Sequence, residues 1–150
     1  FYSSLADSYH AIKEHKLSDK YYEKSLAIDS NNVLVLNNYA YYLSLRRKSL
    51  EKAKKMSYKC NELELDNGTY QDTYAWILYK LADYEQAKIW MQKSLNNGGN
   101  LSAVVVEHYG DILYQLGNVE DAIIEWEKAK KLGKASKFLD KKIEDGKLYE

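Results

Sequence analysis

The sequence predicts an all-α fold built from about four repeated helix pairs and closed by a further C-terminal helix. Three observations carry this. Small residues recur at a fixed interval: Ala6, Ala40, Ala75 and Gly110 lie 34, 35 and 35 residues apart, and Ser18, Ala53, Ala87 and Ala122 lie 35, 34 and 35 apart. Proline is absent and glycine occurs seven times, which suits helices joined by short turns better than a strand-rich chain. Apolar residues in each unit follow the i, i+3, i+4, i+7 stripe of an amphipathic helix, as in Leu36, Tyr39, Ala40 and Leu43.

The first series sits in the frames LADSY, YAYYL, YAWIL and YGDIL, with a large residue before the small one and Tyr9, Leu43, Leu78 or Leu113 three residues later. A third series, Ser25, Cys60, Ser94 and Ala129, follows the second by seven residues. That spacing puts two small side chains on one helix face about two turns apart, where a second backbone can approach. The pattern predicts helices over 2–14 and 18–29, 32–46 and 49–63, 69–81 and 84–96, 101–116 and 119–132, and a closing helix over 135–147. Tight turns are expected within the pairs at His15-Lys16-Leu17, Arg47-Lys48-Ser49, Ala82-Asp83-Tyr84 and Gly117-Asn118-Val119. Asp29-Ser30-Asn31-Asn32, Asp66-Asn67-Gly68 and Asn96-Asn97-Gly98-Gly99-Asn100 separate the units, and Asn/Gly clusters suit helix C-termini. The expected organisation is one domain with repeats over 1–31, 32–67, 68–100 and 101–134.

Bulk properties narrow the function classes. Hydrophobic residues make up 45% of the chain, so it can build a real core. No apolar run approaches the roughly 20 residues that cross a bilayer, so membrane insertion by this segment is not expected. Twenty-two basic residues balance 22 acidic ones, leaving no global pull toward nucleic acid. The single cysteine, Cys60, has no disulfide partner. The chain opens at Phe1 without methionine or signal peptide and reads as a piece of a longer protein.

The run YAWILYKLADYEQAKIWMQKSL over 74–95 resembles a tetratricopeptide repeat, with Tyr84 after the turn and then Ala87, Met91 and Ser94-Leu95. YGDILYQLGNVEDAIIEWEKA over 109–129 is similar, with Gly117 at the turn, Ala122, Trp126 and Ala129. Nearly the whole chain fits as four units. Two departures stand out: the unit-closing proline is replaced by Ser30 and Leu65, and the second unit has one extra residue near Arg47-Lys48. The phrases NNYAYYLS, DTYAWILY and EHYGDILY also resemble repeat proteins of the Bacteroides-type bacterial envelope. That resemblance points to a periplasmic or envelope location, with the cytoplasm as the alternative. The family resemblance implies a right-handed α–α superhelix, a tetratricopeptide solenoid with a solvating capping helix, whose first helices line a concave groove.

Helical geometry separates two columns on each first helix. Residues two apart are rotated by about 200°, so Tyr41 points away from the stripe that holds Tyr39. Asn37, Tyr41 and Ser44 form the second column in unit two, Asp72, Trp76 and Tyr79 in unit three, Glu107, Asp111 and Tyr114 in unit four, and Ser3, Asp7 and His10 in unit one. Carried over from the family, these are the groove residues, and Asn37, Tyr41, Ser44, Asp72, Trp76, Tyr79, Glu107, Asp111 and Tyr114 are the expected partner contacts. Tyr41, Trp76 and Tyr79 would supply rigid apolar area. Asp72, Glu107 and Asp111 would select a ligand bearing lysine or arginine.

Other chemistry is weakly represented. His10, His15 and His108 lack metal spacing, and His10 and His15, five apart, do not share a helix face. Glu107 and Asp111 are an i, i+4 carboxylate pair that reads as a solvated or cation-binding face before an acid/base pair. Gly98-Gly99 lacks the strand and lysine of a phosphate loop. Lysines gather on second helices (Lys52, Lys54, Lys55, Lys59) and at the end (Lys130, Lys131, Lys134, Lys137, Lys141, Lys142), as expected of a solvated capping surface. No catalytic residue, cofactor or metal is expected. The reading is a non-enzymatic scaffold for a protein or peptide ligand. The alternative is a structural or self-associating spacer of a larger envelope protein, a homo-oligomer assembling through Trp90, Trp126 or the clipped N-terminal end.

Overall fold

The computed structural model describes all 150 residues, Phe1–Glu150. It holds nine α-helices and one 3-10 turn, with no strand. Backbone contacts gather into two compact units, Phe1–Leu65 and Asp66–Glu150. Unit 1 consists of α1 (Tyr2–Ala11), α2 (His15–Ile28), α3 (Val33–Leu45) and α4 (Leu50–Leu63). Unit 2 consists of α5 (Gly68–Lys80), α6 (Tyr84–Asn96), the 3-10 turn (Gly99–Leu101), α7 (Ala103–Gln115), α8 (Val119–Leu132) and α9 (Leu139–Asp145). Neighbours pack in pairs: α1 on α2, α3 on α4, α5 on α6 and α7 on α8.

Each pair is closed by the same device. Lys13, Arg47, Ala82 and Gly117 lie in the left-handed region at φ of 63°, 50°, 62° and 85°. The following amide then bonds back to the carbonyl five residues earlier: Glu14 to Tyr9, Lys48 to Leu43, Asp83 to Leu78 and Asn118 to Leu113. This is the Schellman closure of a helix C-terminus. Only the fourth turn uses glycine, so three of them hold a side chain where the backbone disfavours one. The extra residue of the second repeat is accommodated by a second left-handed residue, Ser49, at φ 49°. Helix starts are fixed by side-chain caps: Asn32 accepts from Val35 N–H, Asn67 from Thr69 and Tyr70, Asp83 from Gln86 and Ser102 from Val105.

The small-residue series marks where paired helices touch. Ala6, Ala40, Ala75, Ala53, Ala87, Ala122, Cys60, Ser94 and Ala129 are all fully buried. Gly110 differs because of what it faces. A Cβ there would lie 2.5 Å from the Trp126 ring and 3.1 Å from the Ala122 carbonyl oxygen. Trp126 stands where the other three repeats carry Tyr22, Ser57 and Met91, and its indole takes the volume that an alanine methyl fills elsewhere. Around it, Val106, Leu113, Ala122, Ala129 and Leu139 form the core of α7, α8 and α9.

Two regions depart from expectation. The first helix ends at Ala11 rather than 14 and the second opens at His15 rather than 18, because the turn falls at Lys13 and not at His15-Lys16-Leu17. The closing helix is only seven residues, Leu139–Asp145, rather than 135–147. Ser136 N–H donates to Glu107 Oε2 at 2.8 Å and its hydroxyl donates to Glu107 Oε1, drawing this segment out of the helix. At the other end Gly146, at φ 60°, stops the helix.

Candidate functional site

The second column of the first helices is more enclosed than its sequence pattern implies. In unit 1, Asn37 and Ser44 are buried and Tyr41 is half-buried, with its ring centroid 5.8 Å from that of Tyr42. Ser44 donates its hydroxyl to the Tyr41 carbonyl at 2.6 Å. Tyr42 stacks on His10 of α1 at 3.5 Å, and the His10 and His15 rings come to 5.6 Å across the α1–α2 turn. Burial, the neighbouring His15 and Arg46 together hold His10 below its usual pKa. Two helices supply this histidine pair, which is why the five-residue spacing hides it.

In unit 2, Trp76 is 8% exposed and serves as the centre of a ring stack. It lies parallel to Tyr79 at 4.4 Å and to His108 of α7 at 3.8 Å. His108 Nδ1 is 3.1 Å from Asp72 Oδ1, so the stack also orients a carboxylate. Lys80 stands 4.9 Å over the indole. The Tyr79 hydroxyl donates to Glu150 and accepts from Gln115 at 3.4 Å, and burial pushes its pKa up. Trp76 and Tyr79 are therefore a preformed platform rather than open anchors.

Glu107 and Asp111 are the clear correction to the expected ligand-facing acids. Both are 3% exposed, and so is Lys142 of α9, which the sequence places among solvated capping lysines. Its ammonium donates to Glu107 Oε1 at 2.8 Å and to both Asp111 oxygens at 2.8 and 3.0 Å. Trp126 Nε1–H donates to Asp111 at 2.9 Å. Burial raises Asp111 to about 6 despite Lys142. Burial acts on Glu107 in the same direction, but the bonds from Lys142 and Ser136 outweigh it and hold Glu107 below its usual range. A buried pair of carboxylates needs a counter-charge, and the chain supplies its own. Trp126 is fully buried, which removes it from the residues available for assembly. Asp72 and Tyr114 keep partial exposure. No group of three or more His, Cys, Asp or Glu side chains is placed to hold a metal ion, and no helix is long and apolar enough to cross a membrane.

Comparison with known proteins places this architecture. Tetratricopeptide repeat family models match residues 1–32 and 21–55. The type IV pilus assembly protein PilF of Pseudomonas aeruginosa is 30% identical over 116 residues, 76% of this chain. The chain belongs to the tetratricopeptide repeat proteins. It spans 45% of the length of that curated relative. The solved PilF structure has a TM-score of 0.77 at 24% identity, covering 97% of this chain and 69% of PilF. YrrB, described as a TPR protein with an unusual peptide-binding site, has a TM-score of 0.69 at 18% identity, covering 87% of this chain and 66% of its own. A tetratricopeptide repeat protein from Parabacteroides merdae has a TM-score of 0.78 at 13% identity, covering 92% and 53%. At these identities the structural likeness speaks for the fold alone. That fold is a tetratricopeptide helical repeat, a protein-interaction architecture.

Proposed function

We propose that this tetratricopeptide repeat chain is a non-enzymatic scaffold that holds an extended or helical segment of a partner protein on its first helices. The observation that carries the reading is the Asp72–His108–Trp76–Tyr79 assembly. Its rings on α5 and α7 are largely buried, Trp76 at 8% and Tyr79 at 3% exposure, and form a rigid support that holds the partly exposed Asp72 carboxylate through His108, a preorganised group of the kind that fixes an interface. Tyr114 adds a half-buried phenol on the same column of α7, and Tyr41 is half-buried at the corresponding place on α3 of unit 1. With Glu107 and Asp111 engaged by Lys142, selection for a basic partner falls to Asp72. PilF being a pilus assembly protein and YrrB a peptide-binding one supports recognition of protein segments. The test is affinity capture from the native organism with wild-type, Asp72→Lys and Tyr114→Ala baits of equal thermal stability. Loss of the same captured protein from both variants supports the reading, and undiminished capture by both removes it.

A second reading, self-association, draws on one feature of unit 1. Tyr2, Tyr21 and Tyr9 stack in series at 5.9 and 5.5 Å with Lys24 over two of the rings, and Ile12 at the end of α1 is 67% exposed. Light scattering over a concentration series separates the readings, since a concentration-independent monomer excludes this one.

A further inference from the structure

Unit 2 contains a cleft of about 520 Å³ at the loop end of α5 and α7, bordered by Asp66, Asn67, Asp72, Gly98, Ser102, Val104 and Val105. None of the lining side chains is lysine, arginine or histidine, and the one imidazole at hand, His108, lies behind Asp72 at 3.1 Å. An anion would ordinarily favour the N-termini of two helices, but here their amides are occupied. Asn67 Oδ1 accepts from Thr69 at 3.0 Å and Tyr70 at 3.2 Å, and Ser102 Oγ accepts from Val105 at 3.4 Å. Against the partial positive ends of α5 and α7 stand two full carboxylate charges and the C-terminal end of α6, which closes onto the cleft at Asn97 and Gly98 and carries a partial negative charge, so the balance is negative.

The two acids are not equivalent. Asp72 has a side chain 14% exposed and is held by His108, itself stacked on Trp76. Asp66 is exposed, makes no ion pair, and sits in the left-handed region at φ 57°. Val104, 42% exposed, and Val105 line the same cleft and offer an apolar wall. A fixed carboxylate, a second one at the mouth and an aliphatic wall match a long basic side chain, whose stem packs on carbon while its head stays with charge.

We infer that this cleft is a subsite for an arginine or lysine side chain of the bound partner. The inference rests on the recognition reading for its biological meaning, while the cleft can be tested without any partner. The experiment is a two-dimensional ¹H–¹⁵N titration of the whole chain with Nα-acetyl-arginine amide, and in parallel with the neutral, near-isosteric Nα-acetyl-citrulline amide. The arginine compound is expected to shift the amides of Gly68, Thr69, Gly98, Gly99 and Ser102 saturably and less strongly at high salt. Citrulline and the Asp66→Asn variant should each bind about tenfold more weakly. Asp66 supports no packing, so that variant reads charge and not folding. Equal response to both compounds, shifts scattered over the surface, or binding unchanged by Asp66→Asn and Asp72→Asn would overturn the inference. If the arginine compound saturates the cleft while partner capture ignores Asp72→Lys, the subsite stands and the scaffold reading fails. The converse result rejects the subsite alone.

Discussion

Lys142→Met removes one positive charge from a site that holds two negative ones. The side chain is 3% exposed and makes three bonds of 2.8–3.0 Å to Glu107 and Asp111, which are equally buried. Methionine nearly preserves its volume, so the change isolates the charge. Breaking a buried pair by removing one partner costs about 3–5 kcal/mol, because the remaining charge is left without compensation. All three tryptophans, Trp76, Trp90 and Trp126, lie in unit 2, so fluorescence-monitored urea unfolding reports on the unit that carries the mutation. With a urea slope of about 1–3 kcal/mol/M, the midpoint should fall by roughly 1–5 M at neutral pH.

The pH dependence supplies a second check. In the native chain burial raises Asp111 to about 6 from 3.8. A carboxyl whose folded pKa is raised adds stability as pH falls from the folded toward the unfolded value. Without Lys142 only the two Ser136 bonds still offset the burial of Glu107, so both groups titrate upward. The deficit of Lys142→Met should therefore be largest above pH ~6 and shrink toward pH ~4 as both carboxylates protonate in the folded state. A deficit under about 1 kcal/mol at neutral pH, or one that stays constant with pH, would show that Lys142 does not neutralise the buried acids.

Other expectations follow from single contacts. Gly110→Ala drives a methyl against the Trp126 ring and should destabilise unit 2 by about 1–3 kcal/mol, measured in the same urea experiment. Ala82→Gly relieves a left-handed alanine at φ 62° and should stabilise by up to about 1 kcal/mol; an unchanged or lower melting temperature contradicts that account of the turn. Cys60 is fully buried and its thiol is pushed up to about 12, chiefly by burial. It should resist thiol reagents at pH 8 in the native state and react stoichiometrically in denaturant, so rapid native labelling would show that α4 opens.

The helix pairs were legible because their signal is local and repeated. Alanines and serines 34 or 35 residues apart mark the contact line of every pair, and a Schellman turn closes each pair whether or not glycine is present. The site was less legible because its decisive contacts span long separations. Glu107 and Asp111 read as free acids since their counter-ion lies 35 and 31 residues away, hidden in a run of lysines that otherwise resembles solvated surface. Trp76 shares an exposed-looking column with Asp72 on α5, yet its burial comes from His108 on a later helix. The short α9 has the same origin, since Ser136 is held out of the helix by Glu107, 29 residues earlier. One clue was present in composition: a buried i, i+4 acid pair must find a cation, and Lys142 is in the one helix left to supply it.

On the proposed function, partners meet the first helices of unit 2 near Asp72 and not the outer face of its second helices. Photo-crosslinking in the native organism tests it directly, with a benzophenone amino acid placed at Val104, 42% exposed beside the cleft, or at Ile89 on α6, 46% exposed. A discrete adduct is expected from position 104 that disappears with Asp72→Lys, and none of that mass from position 89. The same adduct from position 89, or one from position 104 that persists with Asp72→Lys, would contradict it.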